Sequence, residues 1–202
     1  MAEQRTTAEQ RAIVAVLAGG RGARLGEAKA LAPLGGRPLI SWPLAAARDA
    51  GLEAVVIAKP STPLPPLAEQ VVHEPEQPRH PLCGVLAALE LAAARSPAPA
   101  VLLLACDMPF LTGALLGWLA SIDGTAMVEV GGRPQPLLAR CLPEHLPALR
   151  EALNAERSLG ASIGALAARI VDERQLSGFG DPERLCFNVN DAENLRRAES
   201  WL

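Results

Sequence analysis

Ala100–Ala105, AVLLLA, constrains the fold of this 202-residue chain more than any other stretch. Six consecutive apolar residues leave no face for water, so a strand made of them must be covered on both sides. Ala12–Ala18 (AIVAVLA) and Ala54–Ala58 (AVVIA) have the same character, and Gln70–His73 is a shorter candidate strand. Between them lie segments of helical length. Pro38–Ala50 has Pro in its first turn and Gly51 past its end, and Pro81–Ala94 and Leu111–Ile122 are rich in Ala and Leu. Buried strands alternating with helices predict an α/β fold, a mostly parallel central sheet with helices on both faces.

The later part changes character. Ala126–Val130, Gly131-Gly132 and Gln135–Cys141 read as a hairpin, an antiparallel insertion in the α/β frame. Helices are expected around Pro143–Ala155, Ala161–Ala168 and Ala192–Trp201, with a strand around Arg169–Val171. Residues 1–10 are polar and charged and read as a flexible tail without the apolar core of a secretory signal, leaving 11–202 as one domain. The 19 basic and 22 acidic residues give a net charge of −3, which argues against a broad nucleic-acid-binding face. The longest uncharged run, Met108–Ile122, spans 15 residues and contains Pro109, too short for a membrane span. Cys83, Cys106, Cys141 and Cys186 have no CxxC spacing and no His set beside them in a ligand spacing, so reduced buried thiols in a cytoplasmic protein are expected.

In open α/β sheets ligands bind beyond the carboxyl ends of the strands. Two segments stand there. Leu17-Ala18-Gly19-Gly20-Arg21-Gly22-Ala23-Arg24-Leu25-Gly26 follows the first strand, with Lys29 three residues on. Its four glycines let backbone N–H groups turn toward an anion, and Arg21, Arg24 and Lys29 add positive charge against Glu27 alone. This composition suits a triphosphate. The segment is neither GxxxxGK[ST] nor GxGxxG, since Leu25 stands where the third glycine would be.

The second is Asp107, directly after AVLLLA. A carboxylate held at the mouth of a sheet is a hard oxygen ligand suited to Mg²⁺, which takes one or two carboxylates plus phosphate oxygens. Its competing role, capping the next helix, can be filled by Thr112. In Asn188-Val189-Asn190-Asp191, either Asn190 or Asp191 could be a second metal ligand, and either could cap the last helix. His73, His80 and His145 are scattered, Cys106 lacks a partner base, no serine has a GxSxG setting, and Trp42, Trp118 and Trp201 stand at helical packing positions.

Taken together, LAGG-x-G-x-R-L-G-x-x-K, Pro33-Leu34, Gly36-x-Pro38-Leu39-Ile40 and Cys106-Asp107-Met108-Pro109-Phe110 resemble the nucleotidyltransferases that activate small phosphorylated substrates. Pro81-Leu82-Cys83-Gly84 and Asn188-Val189-Asn190 are most similar to the molybdenum cofactor guanylyltransferases within that superfamily. The likeness runs from about Ile13 to Leu195. It implies a Rossmann-like three-layer nucleotidyltransferase fold and transfer of GMP from GTP to the phosphate of molybdopterin, with release of pyrophosphate. By the same resemblance, Leu17, Ala18, Gly19, Gly20, Arg21, Gly22, Lys29, Glu74 and Asp107 would bind the nucleotide. Lys29, Arg24 and Asp107 would be catalytic, and Asp107 with Asn190 would hold Mg²⁺, Asp191 remaining the alternative. Cytidylyl relatives usually carry alanine where this chain has Gly19, which favours guanine by leaving room for a purine. Three departures stand out: Gly26-Glu27-Ala28-Lys29 is one residue shorter than usual, His80 replaces a common glycine, and Glu74 replaces a usual Asp.

The implied chemistry fits the absence of a His or carboxylate dyad. A phosphate acceptor with a second pKa of about 6 is already anionic at neutral pH and needs no strong base. Positioning and charge neutralisation then carry the reaction. The pterin is expected near the hairpin and Arg157-Ser158. Implied partners are GTP and molybdopterin, with molybdoenzymes and other cofactor-biosynthesis proteins beyond them, and neither nucleic acid nor membrane. The rival readings are a cytidylyltransferase for the same cofactor, a sugar-phosphate nucleotidyltransferase, and a non-catalytic nucleotide-binding protein.

Overall fold

The computed structural model describes residues 12–19 and 28–202. The expected tail at 1–10 therefore lies outside the described residues, as do Gly20, Arg21, Gly22 and Arg24.

Seven strands form one sheet. In chain order they are β1 (Ala12–Leu17), β4 (Ala54–Ala58), β5 (Gln70–His73), β6 (Ala100–Ala105), β7 (Ala126–Val130), β8 (Arg133–Cys141) and β9 (Arg169–Val171). A separate two-stranded hairpin joins β2 (Pro33–Leu34) to β3 (Arg37–Pro38). The large sheet runs β5-β4-β1-β6-β8-β7-β9. The first four strands in that order are mutually parallel. β8 is antiparallel to both neighbours, β6 and β7, and β9 is parallel to β7. The hairpin insertion thus extends the main sheet.

The apolar strands are explained by what covers them. Val14, Val16, Leu102 and Leu104 point to one face, against Leu44 and Ala47 of α1 (Ser41–Asp49) and Leu115, Leu116 and Leu119 of α3 (Gly113–Ser121). Ile13, Ala15, Val101 and Leu103 point to the other, against Leu82, Val85 and Leu89 of α2 (Pro81–Ala93) and Leu149 and Ala152 of α4 (Leu146–Asn154). All six residues of β6 are buried, and each fully buried Leu there contributes on the order of 1.5–3 kcal/mol of transfer free energy. Shorter helices follow: α5 (Leu159–Gly164), α6 (Glu173–Leu176), α7 (Pro182–Leu185) and α8 (Ala192–Glu199).

Two expectations need correction. Pro38 does not open a helix. It pairs with Pro33 in the β2–β3 hairpin, and α1 starts at Ser41, whose hydroxyl donates to the Pro38 carbonyl. The physical reason is the Gly35-Gly36 turn: both glycines have positive φ and fold the chain back on itself before the helix can begin. The helix expected at Ala161–Ala168 begins earlier, at Leu159, because the Ser158 hydroxyl accepts from Ala161 N–H as its N-cap. It ends at Gly164, and Ala167, with φ of 53°, leads into β9. No described helix is long and apolar enough to cross a membrane.

Candidate active site

Parallel pairing brings the carboxyl ends of four strands to one edge. Leu17 is level with Ile57 and with Ala105, and Ala58 with His73. The residues that follow, Gly19, Lys59, Glu74 and Asp107, therefore share that edge. Hydrogen bonds extend the ladder beyond the strands: Ala18 N–H donates to Ile57 O at 2.8 Å, Glu74 N–H to Ala58 O at 3.0 Å, and Cys106 N–H to Leu17 O at 3.2 Å. The site thus stands on a rigid floor. One consequence is that the Ala18 amide is committed to the sheet and is not available to an anion.

Lys29, Asp107 and Asn190 converge although they lie far apart in sequence. Lys29 opens a single 3₁₀ turn, Lys29–Leu31. Its Nζ donates to Asp107 Oδ2 at 2.5 Å and to Asn190 Oδ1 at 2.6 Å. Asp107 is 6% exposed. Val189 N–H donates to the Asp107 carbonyl at 2.9 Å, tying the C-terminal segment to the turn after β6.

The capping questions are settled by geometry. Thr112 Oγ1 accepts from Leu115 N–H at 3.2 Å and caps α3, so Asp107 is not a cap. Asp191 Oδ1 accepts from Asn194 N–H at 2.8 Å and caps α8, which leaves the Asn190 side chain facing Lys29. A carboxylate and an amide oxygen side by side are the hard donor set that Mg²⁺ accepts, with its remaining positions left to phosphate oxygens and water. Among the described residues no group of three or more His, Cys, Asp or Glu side chains forms a metal cage. A metal here would need oxygen atoms from its substrate.

Among the described residues Glu74 is the other buried acid, 6% exposed. Its Oε1 fills the position that a Cβ on Gly19 would take, and a Cβ on Gly84 would stand 3.3 Å from its Oε2. The room left by Gly19 is therefore occupied by the Glu74 carboxylate, a correction to the expectation of free space for a purine. Lys59 Nζ lies 3.8 Å from Glu74 Oε1 and donates to the Pro75 carbonyl at 2.5 Å. Burial raises the Glu74 carboxyl above its ordinary range; the Lys59 ammonium opposes that rise and the Glu76 carboxylate adds to it.

Beside Asp107 a cleft of about 340 Å³ opens between the strand ends and the β7–β8 hairpin. Gln135, Pro136, Leu137, Leu159 and Asn188 line it together with Asp107. It is mostly apolar, with Asp107, Gln135 and Asn188 as its polar lining, as small-molecule sites commonly are. Leu159 reaches this cleft, whereas Ser158 is engaged as the α5 cap. Burial pushes the Cys106 thiol up to about 12, helped by the adjacent Asp107 charge, so it is no nucleophile at neutral pH.

Two features escape sequence reasoning. Lys59 is one, though a signal existed: of the 19 basic residues only Lys29 and Lys59 are lysines. The other is an aromatic cluster. Trp201 contacts Phe110 and Phe187, with ring centroids 5.3 and 4.8 Å apart. Phe110 lies three residues past Asp107 and Phe187 three before Asn190, so the cluster clamps the two segments that carry the site.

Comparison with known proteins shows what the chain is similar to. The MobA-like NTP transferase domain matches residues 14–170. A molybdenum cofactor guanylyltransferase of Cereibacter sphaeroides is 38% identical over 195 residues, covering 93% of this chain and 95% of that protein. One from Pseudomonas entomophila is 33% identical over 185 residues, covering 85% and 95%. The crystal structure of molybdopterin-guanine dinucleotide biosynthesis protein A from Archaeoglobus fulgidus superimposes with a TM-score of 0.75 at 24% identity, covering 93% of this chain and 97% of that one. A 2-C-methyl-D-erythritol 4-phosphate cytidylyltransferase from Thermus thermophilus shares the fold at a TM-score of 0.67 and 22% identity, covering 95% and 98%.

Proposed function

The chain belongs to the molybdenum cofactor guanylyltransferases of the MobA-like NTP transferase family, and from that premise we infer how its own residues carry the transfer of GMP from GTP to the molybdopterin phosphate. The observation that carries this reading is the convergence of Lys29 and Asn190 on Asp107, which lines the cleft.

GTP lies with its base toward Gly19 and Glu74 and its phosphates toward Lys29. Arg21 and Arg24, outside the described residues, keep the nucleotide-binding and catalytic roles that the resemblance implies. Asp107 and Asn190 would hold Mg²⁺, which would supply charge neutralisation at the phosphates. The Lys29 ammonium, now paired with Asp107, turns to the nucleotide and holds its triphosphate in line with the acceptor. The acceptor pterin occupies the cleft of Gln135, Leu137 and Leu159, with its phosphate toward Asp107. An acceptor phosphate oxygen attacks the α-phosphorus, the bond from that phosphorus to the bridging oxygen breaks, and pyrophosphate leaves carrying the electron pair. The acceptor is already anionic, so no side chain need remove a proton. Lys29 stabilises the charge that builds on the leaving group. The reaction belongs in the cytoplasm, upstream of delivery to molybdoenzymes.

The test is turnover by Asp107→Asn and Lys29→Met with GTP, Mg²⁺ and molybdopterin, followed as pyrophosphate release. Each variant should lose about a hundredfold or more in kcat, the scale of removing one group that stabilises transition-state charge. Near-wild-type rates in either would remove that residue from the reaction.

A further inference from the structure

The pairing of Lys59 with Glu74 has no part in the transfer steps above, yet its construction is deliberate. Arginine supplies all the basic charge of this chain except at residues 29 and 59. Lys29 joins the Asp107 cluster. Lys59 follows the last residue of β4, and its Nζ sits between the Pro75 carbonyl at 2.5 Å and Glu74 Oε1 at 3.8 Å. The Lys59 side chain is 15% exposed and that of Glu74 6%. A compact ammonium fits between one carbonyl and one carboxylate on adjacent residues; a planar guanidinium would spread across both. Glu74 is confined on its other sides by Gly19 and Gly84. The carboxylate is therefore held beside Gly19.

We propose that Lys59 is a positioning residue for nucleobase choice: it holds Glu74 ionised and turned along Gly19, where both carboxylate oxygens accept from the N1–H and 2-amino group of guanine. This rests on the reading that the base lies at Gly19. Guanine offers two adjacent donors on that edge, matching the two oxygens of a carboxylate. Cytosine and adenine place an acceptor next to their single amino group, and uracil flanks its one N–H with two carbonyls. Each would set a lone pair against a buried carboxylate, which selects by repulsion as well as by attraction. The neighbouring Glu76 accepts from the Ser61 amide and hydroxyl at 2.9 and 3.0 Å, and the Lys59 charge acts on it as well.

The probes are GTP and inosine triphosphate, which lacks only the 2-amino group. Dissociation constants are measured by calorimetry on the wild type, Lys59→Met, Glu74→Gln and the double variant. The wild type should prefer GTP about tenfold to a hundredfold, the value of one hydrogen bond to a charged group. Lys59→Met should bring that ratio to within about threefold, through a loss of GTP binding larger than the loss for inosine triphosphate, whose N1–H also reaches Glu74. Glu74→Gln should do the same, and the double variant should lose little more, because both changes remove one device. Glu74→Gln keeps the side-chain volume and leaves Lys59 bonded to the Pro75 carbonyl, so it reports even if Lys59→Met does not fold. A wild-type ratio retained in Lys59→Met, or full additivity in the double variant, overturns the proposal. Loss of pyrophosphate release with the binding ratios as expected would overturn the transfer reading alone.

Discussion

Gly19→Ala tests the packing of the nucleotide edge with one methyl group. Its Cβ would fall on Glu74 Oε1, well inside van der Waals contact. The carboxylate tip must retreat by roughly an ångström to restore normal separation. Gly84 and Lys59 close two of the directions open to it. Glu74 ends a flexible side chain, so the fold survives, with an off-rotamer cost of about 1 kcal/mol and a fall in Tm of about 2–4 °C. The larger effect falls on GTP. Withdrawing a carboxylate from a nucleobase donor forfeits about 1.5–3 kcal/mol, which weakens binding about tenfold to a hundredfold. Glu74→Asp shortens the acid by one methylene, so Gly19→Ala/Glu74→Asp should recover part of what Gly19→Ala loses. Titration calorimetry with GTP on the single and double variants reads this directly. GTP affinity equal to wild type in Gly19→Ala, or no recovery in the double variant, would refute the argument.

Other consequences can be measured alongside. Thr112→Ala removes the α3 cap and should cost about 1 kcal/mol, a Tm fall of about 2–4 °C with kcat unchanged; an unchanged Tm would deny the cap. Trp201→Ala removes two aromatic contacts, together worth on the order of 1–3 kcal/mol, and should lower both Tm and turnover because the clamp carries Asp107 and Asn190. Turnover unaffected by that change would show the cluster to be stabilising only. All four cysteines are buried, and burial is the main cause that lifts the thiols of Cys106, Cys141 and Cys186 to about 12. Ellman's reagent should find none of the four reactive until the protein is unfolded; rapid reaction of any in the native state would contradict the packing.

The core and the position of the acid were legible in the sequence for the same reason. A strand such as AVLLLA, with no polar face, can only be central, and the residue after it must emerge at the ligand edge of the sheet. Thr112 was legible as a cap because its spacing from the apolar residues of α3 leaves it no other local role. Asn190 and Asp191 were not separable, since adjacent residues of similar chemistry differ only in where the backbone turns them. The short elements β2, β3, α6 and α7 carry too few residues for a period to show. Pro38 misled because a proline that suits the first turn of a helix suits an edge hairpin equally well. Glu74 was reached by resemblance, whereas its partner Lys59 depends on a pairing between two loops that only the parallel register of β4 and β5 creates.

The central claim is that the edge bearing Gly19, Glu74, Lys29 and Asp107 transfers a guanylyl group. It is tested most directly by pyrophosphate release from purified protein with Mg²⁺ and molybdopterin, supplied in parallel with GTP, CTP and UTP. Release with GTP, at least about tenfold faster in kcat/KM than with either pyrimidine nucleotide, is the predicted result. Equal or faster release with CTP would contradict it.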